Sequence, residues 1–238
     1  MKNLIVTAAG LSTRFEGLKP KWMLTHPSGK WMIVEALSSV DFSVIDKVYF
    51  GFLQEHLDEY NCIDGIKLCF KELGIEDKAE LVPLNNRTDN QPHTVYEVIK
   101  QASIEGQIII KEVDNRFSYG IEDDNFMCYY DLNDVTLINP SNKSYITIGD
   151  DGYISDLVEK KVISSTFGCG SYSFENSEDY CEYFEQMSNR TKLFLSDIIK
   201  QMIEDGFKFK PIKVSDYIDW GTKEDWFDYV RQYKTLFV

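Results

Sequence analysis

The stretch Asn3-Leu4-Ile5-Val6-Thr7-Ala8-Ala9-Gly10-Leu11-Ser12-Thr13-Arg14-Phe15, followed by Lys19-Pro20-Lys21, decides the reading of this chain. Its first half is an apolar run that predicts a buried first strand over Leu4 to Ala8. Its second half is a glycine-containing loop that leaves the strand tip, with one arginine and two lysines close behind. A backbone open to close approach, followed by fixed positive charge, suits a polyphosphate.

Outward from that loop, strand-like and helix-like runs alternate. Met32 to Ser39 predicts a short helix with Ile33, Ala36 and Leu37 on one face. Lys47 to Leu53 and Glu80 to Leu84 predict strands, and His93 to Ala102 a helix with Val95, Val98 and Ile99 inward. Gln107 to Val113 is a nearly continuous apolar strand. Such alternation predicts an α/β fold: a mostly parallel, Rossmann-like sheet with helices on both faces and ligands at the carboxyl ends of the strands.

The second half changes character. Asn125 to Leu132, Tyr145 to Ile148 and Tyr153 to Val158 predict antiparallel strands, the last two joined by a tight turn at Gly149-Asp150-Asp151-Gly152. Thr166 to Phe174 is a further strand. Helices follow over Ser177–Met187 and Lys192–Glu204, then a strand over Phe207–Val214 and a closing helix from Lys223. With no repeat and no Pro/Gly-rich linker, one domain over residues 1–238 with an antiparallel extension is the simplest account.

The net charge of -14 argues against nucleic acid or an anionic membrane as the main partner. Five cysteines without a CxxC pair suggest reduced thiols and a cytoplasmic protein, and no segment has the length and apolarity of a membrane span.

Charged residues stand where strand ends should converge. Asp114 closes the strand Ile108-Ile109-Ile110 within Glu112-Val113-Asp114-Asn115, so its carboxylate is a candidate Mg²⁺ ligand; a loop-capping aspartate accounts for the same residue. Asp219 lies between the last strand and the last helix. Thr222 with Asp225 fits that helix's capping box, which leaves Asp219 without a local task. Glu159-Lys160-Lys161 ends a hairpin strand, where solvated lysines are ordinary. His26, His56 and His93 have no paired spacing and are expected at the surface or in turns. No GxSxG, HExxH, P-loop or GxGxxG is present.

Taken together, Ala8-Ala9-Gly10-x-Ser12-x-Arg14 with Lys19-Pro20-Lys21 resembles the signature loop of the nucleotidyltransferases that make nucleotide sugars and related activated head groups. Asp114-Asn115 resembles that family's metal-binding aspartate. Asp151-Gly152-x-Ile154 with Leu157-x-Glu159-Lys160 resembles its hairpin, and Gly168-x-Gly170-x-Tyr172-x-Phe174 the strand after it. Leu195-Ser196-Asp197 and Asp219-x-Gly221-Thr222 resemble its later helix start and second metal loop. These segments occur in family order along nearly the whole chain. Two positions depart from the pattern: Ser12 stands where many members have a second glycine, and Thr94 where a glycine often helps hold the base.

The resemblance implies a GT-A-like nucleotidyltransferase fold, with about residues 1–115 holding the nucleotide and about 116–238 the acceptor. It implies transfer of a nucleoside monophosphate to a phosphorylated acceptor, with Mg²⁺ and release of pyrophosphate. Ala8 to Thr13 (Ala8, Ala9, Gly10, Leu11, Ser12, Thr13), with Gln91 and Thr94, would bind the nucleotide. Arg14, Lys21 and Lys160 would be catalytic, Glu159 and Lys160 would bind the acceptor, and Asp114 and Asp219 would hold the metal. The Ala8-Ala9-Gly10 form resembles members that use pyrimidine nucleotides, UTP or CTP, and in size the chain resembles the small stand-alone cytidylyltransferases. That implies CTP before UTP, an acceptor such as phosphoglutamine, phosphocholine or a sugar phosphate, and a role in capsule or cell-surface glycan synthesis. The acceptor pocket is expected around Phe126–Tyr130 and Ser165–Tyr172. The alternatives are a metal-dependent glycosyltransferase, for which Glu112-Val113-Asp114 is an imperfect D-x-D, and a non-catalytic nucleotide-binding protein.

Overall fold

A computed structural model describes residues 1–135 and 138–236. The first strand, β1 (Lys2–Thr7), lies between β2 (Lys47–Leu53) and β4 (Gln107–Glu112), parallel to both, and β3 (Ala79–Leu84) adds to β2. On the other side, β9 (Thr166–Phe174) pairs antiparallel with β4, then β6 (Phe126–Asp131) antiparallel with β9. The sheet therefore runs β10-β6-β9-β4-β1-β2-β3, and the hairpin β7 (Ser144–Ile148) and β8 (Ile154–Glu159) branches from β9. The last strand of this sheet, β10 (Lys210–Lys213), pairs in parallel with β6 and is shorter than the Phe207–Val214 run that the sequence suggests.

Alternation along the strands sends side chains to two cores. On one face Ile5, Tyr49, Val82, Ile108 and Ile110 meet α4 (Gln91–Ala102), α5 (Ser177–Met187) and α6 (Leu195–Glu204) through residues such as Val95, Tyr180 and Ile198. On the other, Leu4, Val6, Val48, Phe50 and Ile109 meet α1 (Met32–Leu37), α2 (Gln54–Tyr60) and α3 (Ile63–Leu73) through Ile33, Leu57, Ile66 and Phe70. A strand buried on both faces must be apolar throughout, which is why β1 and β4 read as continuous apolar runs. The helix pair α2–α3 is an addition to the sequence reading.

The chain leaves β1 towards β2 and β3 on one side and returns at β4 on the other. The carboxyl ends of β1 and β4 therefore flank the point where strand order reverses, the place where such sheets open a crevice. A separate two-stranded ribbon covers this end: β5 (Asn115–Ser118) pairs antiparallel with β11 (Ser215–Asp219), setting Asp219 opposite Asn115. The closing helix α7 (Lys223–Leu236) starts as its sequence suggests: Thr222 Oγ1 accepts from the Asp225 amide at 3.1 Å, while Asp225 Oδ2 accepts from the Thr222 amide at 3.2 Å. Likewise, Asp197 Oδ2 accepts from the Phe194 amide at 2.8 Å, so α6 begins at Leu195 rather than at Lys192.

His56 is buried within α2 rather than at the surface or in a turn, and His26, at a turn as expected, is buried. His26 is 2% exposed and His56 8%. The ring of His26 sits against Trp220 and Trp226, with Nδ1 at 2.8 Å from the Ser28 hydroxyl and Nε2 at 2.9 Å from the Tyr229 hydroxyl. The aromatic residues of α7 cover it, a long-range burial that spacing along the chain does not reveal. Burial lowers the pKa of both imidazoles, against the opposing pull of Glu35 on His26 and Glu55 on His56. Among the described residues all five cysteines are free and buried, and no helix is long and apolar enough to cross a membrane.

Candidate active site

At the end of β1 the chain turns sharply. The Ala8 amide donates to the Gly51 carbonyl at 3.0 Å, and the backbone then leaves the sheet. Ser12 takes a left-handed conformation, φ 52° and ψ 35°, where a glycine would be the easy choice. Its hydroxyl accepts the Lys21 amide at 2.9 Å, and its carbonyl accepts the Phe15 amide at 2.7 Å. The serine that departs from the family pattern thus has a local task. It closes the loop onto the segment that carries Lys21, a hydrogen bond that glycine could not make. Phe15 anchors the loop from below in a cluster with Met32, Trp220 and Trp226.

Beside this loop, Asp114 stands two residues past the end of β4. The Lys21 ammonium forms a direct ion pair with Asp114 Oδ2. Burial alone would raise the Asp114 carboxyl. Lys21, with Arg14 and Lys143 behind it, outweighs that and holds it at about 2. The ribbon brings Asp219 to the same place, where its Oδ1 accepts the Gly221 amide at 2.9 Å and the Trp220 amide donates to the Asp114 carbonyl at 2.7 Å. A Cβ at Gly221 would stand 3.0 Å from Asp219 Oδ1, 3.6 Å from Asp114 Oδ2 and 3.9 Å from Arg14 Nη1. The two carboxylates and the arginine therefore converge on one point. Asp114 and Asp219 supply hard oxygen donors, the chemistry a divalent cation such as Mg²⁺ takes together with phosphate oxygens. Among the described residues no group of three or more His, Cys, Asp and Glu could hold a metal.

A layer of buried charge supports Asp114. Lys111 is wholly buried, and its ammonium donates to the Glu112 carbonyl at 2.9 Å, to the Asn115 carbonyl at 3.0 Å and to Asn115 Oδ1. Burial pulls this lysine down to about 8 against the attraction of Glu112 and Asp114. Asn115 Nδ2 donates in turn to Glu112 Oε2 at 3.3 Å and to Asp114 Oδ1 at 3.4 Å. Gly170 of β9 makes room for this group. Its φ is 90°, and a Cβ there would lie 2.5 Å from both Asn115 Nδ2 and Glu112 Oε2.

A cleft of about 790 Å³ surrounds this centre, and its lining comes from two groups of residues, called its arms below. One arm is lined by Ala8, Gly10, Leu11, Thr13, Gln91 and Thr94 at the amino end of α4. Gln91 Nε2 donates to the Thr7 hydroxyl at 3.1 Å. Thr94 is buried, and its hydroxyl lies 2.6 Å from that of Thr88, so its polar atom is already engaged. Ala9 packs beneath this arm in the core. The other arm carries Glu159 and Lys160, Tyr172 and the segment Thr191–Ser196. Burial raises the pKa of Glu159, which accepts from the Ser196 hydroxyl at 2.7 Å. Lys160 is exposed at the rim, its φ 58° and its ammonium 4.3 Å from the centre of the Phe194 ring. Gly168 to Gly170 line the cleft, but Phe126, Met127 and Cys128 are wholly buried in the cores and do not. That part of the expected acceptor pocket is corrected: the wall is built by 191–196 and by Asn139, Asn142 and Lys143 instead.

Lys143 is the residue that the sequence reading missed. Its ammonium pairs with Asp219 Oδ2 and donates to the Tyr217 hydroxyl at 2.8 Å. No motif marks it. It precedes β7 in the chain and reaches the centre only because the hairpin folds back over β9.

No known family profile and no curated protein sequence matches this chain. Solved structures do share its fold. A nucleoside-diphosphate-sugar pyrophosphorylase from Vibrio cholerae RC9 superposes with a TM-score of 0.79 at 20% identity, over 95% of this chain and 99% of that one. The chain thus shares the fold of that protein. An inositol-1-phosphate CTP transferase from T. maritima gives a TM-score of 0.74 at 15% identity, over 94% and 91% of the two chains. A UDP-glucose pyrophosphorylase complexed with UDP-glucose gives 0.73 at 15% identity, over 99% of each.

Proposed function

We propose that this chain transfers a nucleoside monophosphate from a nucleoside triphosphate to a small phosphorylated acceptor, releasing pyrophosphate. The observation that carries this reading is the convergence of Arg14, Asp114 and Asp219 on one point, with Lys21 paired to Asp114, in a cleft that all four residues line. One arm fits a nucleotide on the Ala8–Thr13 loop, Gln91 and the Thr94 wall. The other fits an acceptor on Glu159 and Lys160.

In the reaction an acceptor phosphate oxygen attacks the α-phosphorus in line. A P–O bond forms there, the bond to the β-phosphate breaks, and pyrophosphate leaves with that electron pair. A phosphate monoester is already anionic at neutral pH, so no general base is required. Among the described residues no histidine lines the cleft. Positioning and charge neutralisation then carry the rate. The Ala8–Thr13 backbone and Arg14 hold the triphosphate, and Lys21 offsets the charge that develops on the leaving group. Asp114 and Asp219 would hold Mg²⁺, which when bound polarises the α-phosphoryl group. Glu159 orients the acceptor, and Lys160 meets its phosphate from the rim.

CTP is the favoured donor, on the Ala8-Ala9-Gly10 loop and the likeness in fold to a protein described as a CTP transferase. The antiparallel half, from about residue 116, supplies the acceptor side. A glycosyltransferase would need Glu112 and Asp114 both free for a metal. Here Glu112 lines the cleft, but its Oε2 is already engaged by Asn115 Nδ2 at 3.3 Å. The deciding experiment is a pyrophosphate-release screen of the four NTPs against sugar 1-phosphates, phosphocholine and phosphoglutamine. Turnover with CTP or UTP supports the reading; turnover with purine triphosphates alone removes the pyrimidine assignment. A folded Asp114→Asn protein with near-normal release would remove Asp114 from the metal site.

A further inference from the structure

Lys143 holds a position that the transfer scheme above leaves without a task. Its side chain is 14% exposed, which is unusual for a lysine and demands partners. Those partners are Asp219 Oδ2 and the Tyr217 hydroxyl, and the ammonium lies 5.7 Å and 5.5 Å from the ring centres of Phe167 and Tyr217. Its backbone carbonyl accepts the Lys160 amide at 2.8 Å, so one backbone hydrogen bond joins it to the acceptor lysine. Burial would lower its pKa, but Asp219, and then Asp114 and Glu112, more than reverse this. Glu159, on the acceptor side, is also within its field. Lys143 thus stands between the two arms of the cleft, touching the carboxylate centre and tied to the acceptor rim.

Such a placement does not suit a structural ion pair. A buried pair contributes little to stability, because both charges must be desolvated. Asp219 turns Oδ1 towards the point where Asp114 and Arg14 converge, while Lys143 holds its Oδ2, so a divalent cation on this carboxylate competes with the ammonium. Lys21 shows the same arrangement on Asp114. Each candidate metal carboxylate is capped by an ammonium.

We propose that Lys143 is a substrate-binding cation of the transfer site, parked on Asp219 in the free protein and released to the acceptor phosphate when a divalent cation occupies Asp219. The identity of the released partner rests on the nucleotidyl-transfer reading; the parking on Asp219 does not. Charge balance favours the exchange. A divalent cation on Asp219 displaces one positive charge from a site that is about to receive a further phosphate. A free ammonium next to Lys160 would meet that phosphate on the side away from Arg14 and Lys21. The transferred phosphoryl group would then have cations on both its leaving and its attacking sides.

The test uses the full-length protein and Mn²⁺ alone as the probe, with binding read by electron paramagnetic resonance. Lys143→Met removes the competitor for Asp219 and tightens Mn²⁺ by about fivefold or more, the lower range of ordinary coupling between two ligands. Tyr217→Phe removes the hydroxyl that holds the parked ammonium but keeps its charge, and tightens Mn²⁺ by a smaller factor. Lys143→Arg keeps the pair and leaves Mn²⁺ affinity near that of the wild type. Where the wild type turns over, Lys143→Met also raises the acceptor KM and lowers kcat by about 100-fold, as for loss of a transition-state cation. Unchanged Mn²⁺ affinity in folded Lys143→Met overturns the parking. If that variant does not fold, unchanged affinity in Tyr217→Phe overturns it. Wild-type acceptor KM and kcat in Lys143→Met overturn the substrate role. A wild type that releases no pyrophosphate with any substrate pair defeats the nucleotidyl-transfer reading instead, while the Mn²⁺ comparison still decides the parking.

Discussion

Ser12 allows the loop geometry to be tested in energetic terms. Replacing it with alanine keeps the left-handed backbone at φ 52° but removes the acceptor for the Lys21 amide, now bonded at 2.9 Å. Loss of one such hydrogen bond costs about 1 kcal/mol. Replacing it with glycine removes the same bond but relieves the left-handed strain, itself worth about 1 kcal/mol. Glycine also adds about 0.5 kcal/mol or more of backbone entropy to be lost on folding. Ser12→Ala is therefore expected to lower the unfolding free energy by about 1 kcal/mol, and Ser12→Gly by less. Because the lost bond orders the segment carrying Lys21, kcat/KM in Ser12→Ala should fall about fivefold, the rate equivalent of 1 kcal/mol. Urea unfolding with pyrophosphate release measures both quantities. Wild-type stability in Ser12→Ala would refute the hydrogen-bond argument. Greater loss in Ser12→Gly than in Ser12→Ala would refute the backbone argument.

Lys111→Met strips the donor from the Glu112 and Asn115 carbonyls and from Asn115 Oδ1, so urea unfolding should show a loss of about 3 kcal/mol; an unchanged midpoint would contradict this. Gly170→Ala forces a methyl to within 2.5 Å of Glu112 and Asn115 at a φ of 90°, and a cost of about 2 kcal/mol is expected in the same assay. Thermal unfolding should also depend on pH through His26 and His56. Burial lowers both pKa values, so the unfolded chain takes up protons first, near 6.5. Stability is then complete above that value and declines as pH falls from it towards the folded values. The double variant His26→Gln/His56→Gln should show a smaller fall in Tm between about pH 7.5 and 5.5, the span around the free imidazole value. An equal fall would remove these residues as the cause.

Much of the fold could be read from local chemistry. The apolar runs of β1 and β4 predict strands buried on both faces, and Thr222 with Asp225 marks the start of the last helix. The helix α3 escaped the sequence reading although Ile63, Ile66, Cys69, Phe70 and Leu73 recur at helical spacing. The β5–β11 ribbon was not legible, because its two short strands are far apart in the chain and pair by tertiary placement alone. The site divides the same way. Asp114 and Lys21 follow strand ends and could be anticipated, and the structure brings them into contact. Lys143 and Lys111 could not: a lysine in sequence reads as solvent-facing, and only the folded chain shows the carboxylates and carbonyls that make burial possible. His26 misled in the opposite direction, since its aromatic cover comes from α7, some 200 residues on.

The central claim is that Lys21 and its surroundings promote transfer of the α-phosphoryl group. The direct measurement follows α-labelled CTP and pyrophosphate together, in the presence of Mg²⁺ and a phosphorylated acceptor, for the wild type and Lys21→Ala. The account predicts that label joins the acceptor in step with pyrophosphate release. It also predicts that Lys21→Ala slows both by about 100- to 1000-fold while the protein remains folded. Label transfer without pyrophosphate, or a folded Lys21→Ala protein as fast as the wild type, would contradict it.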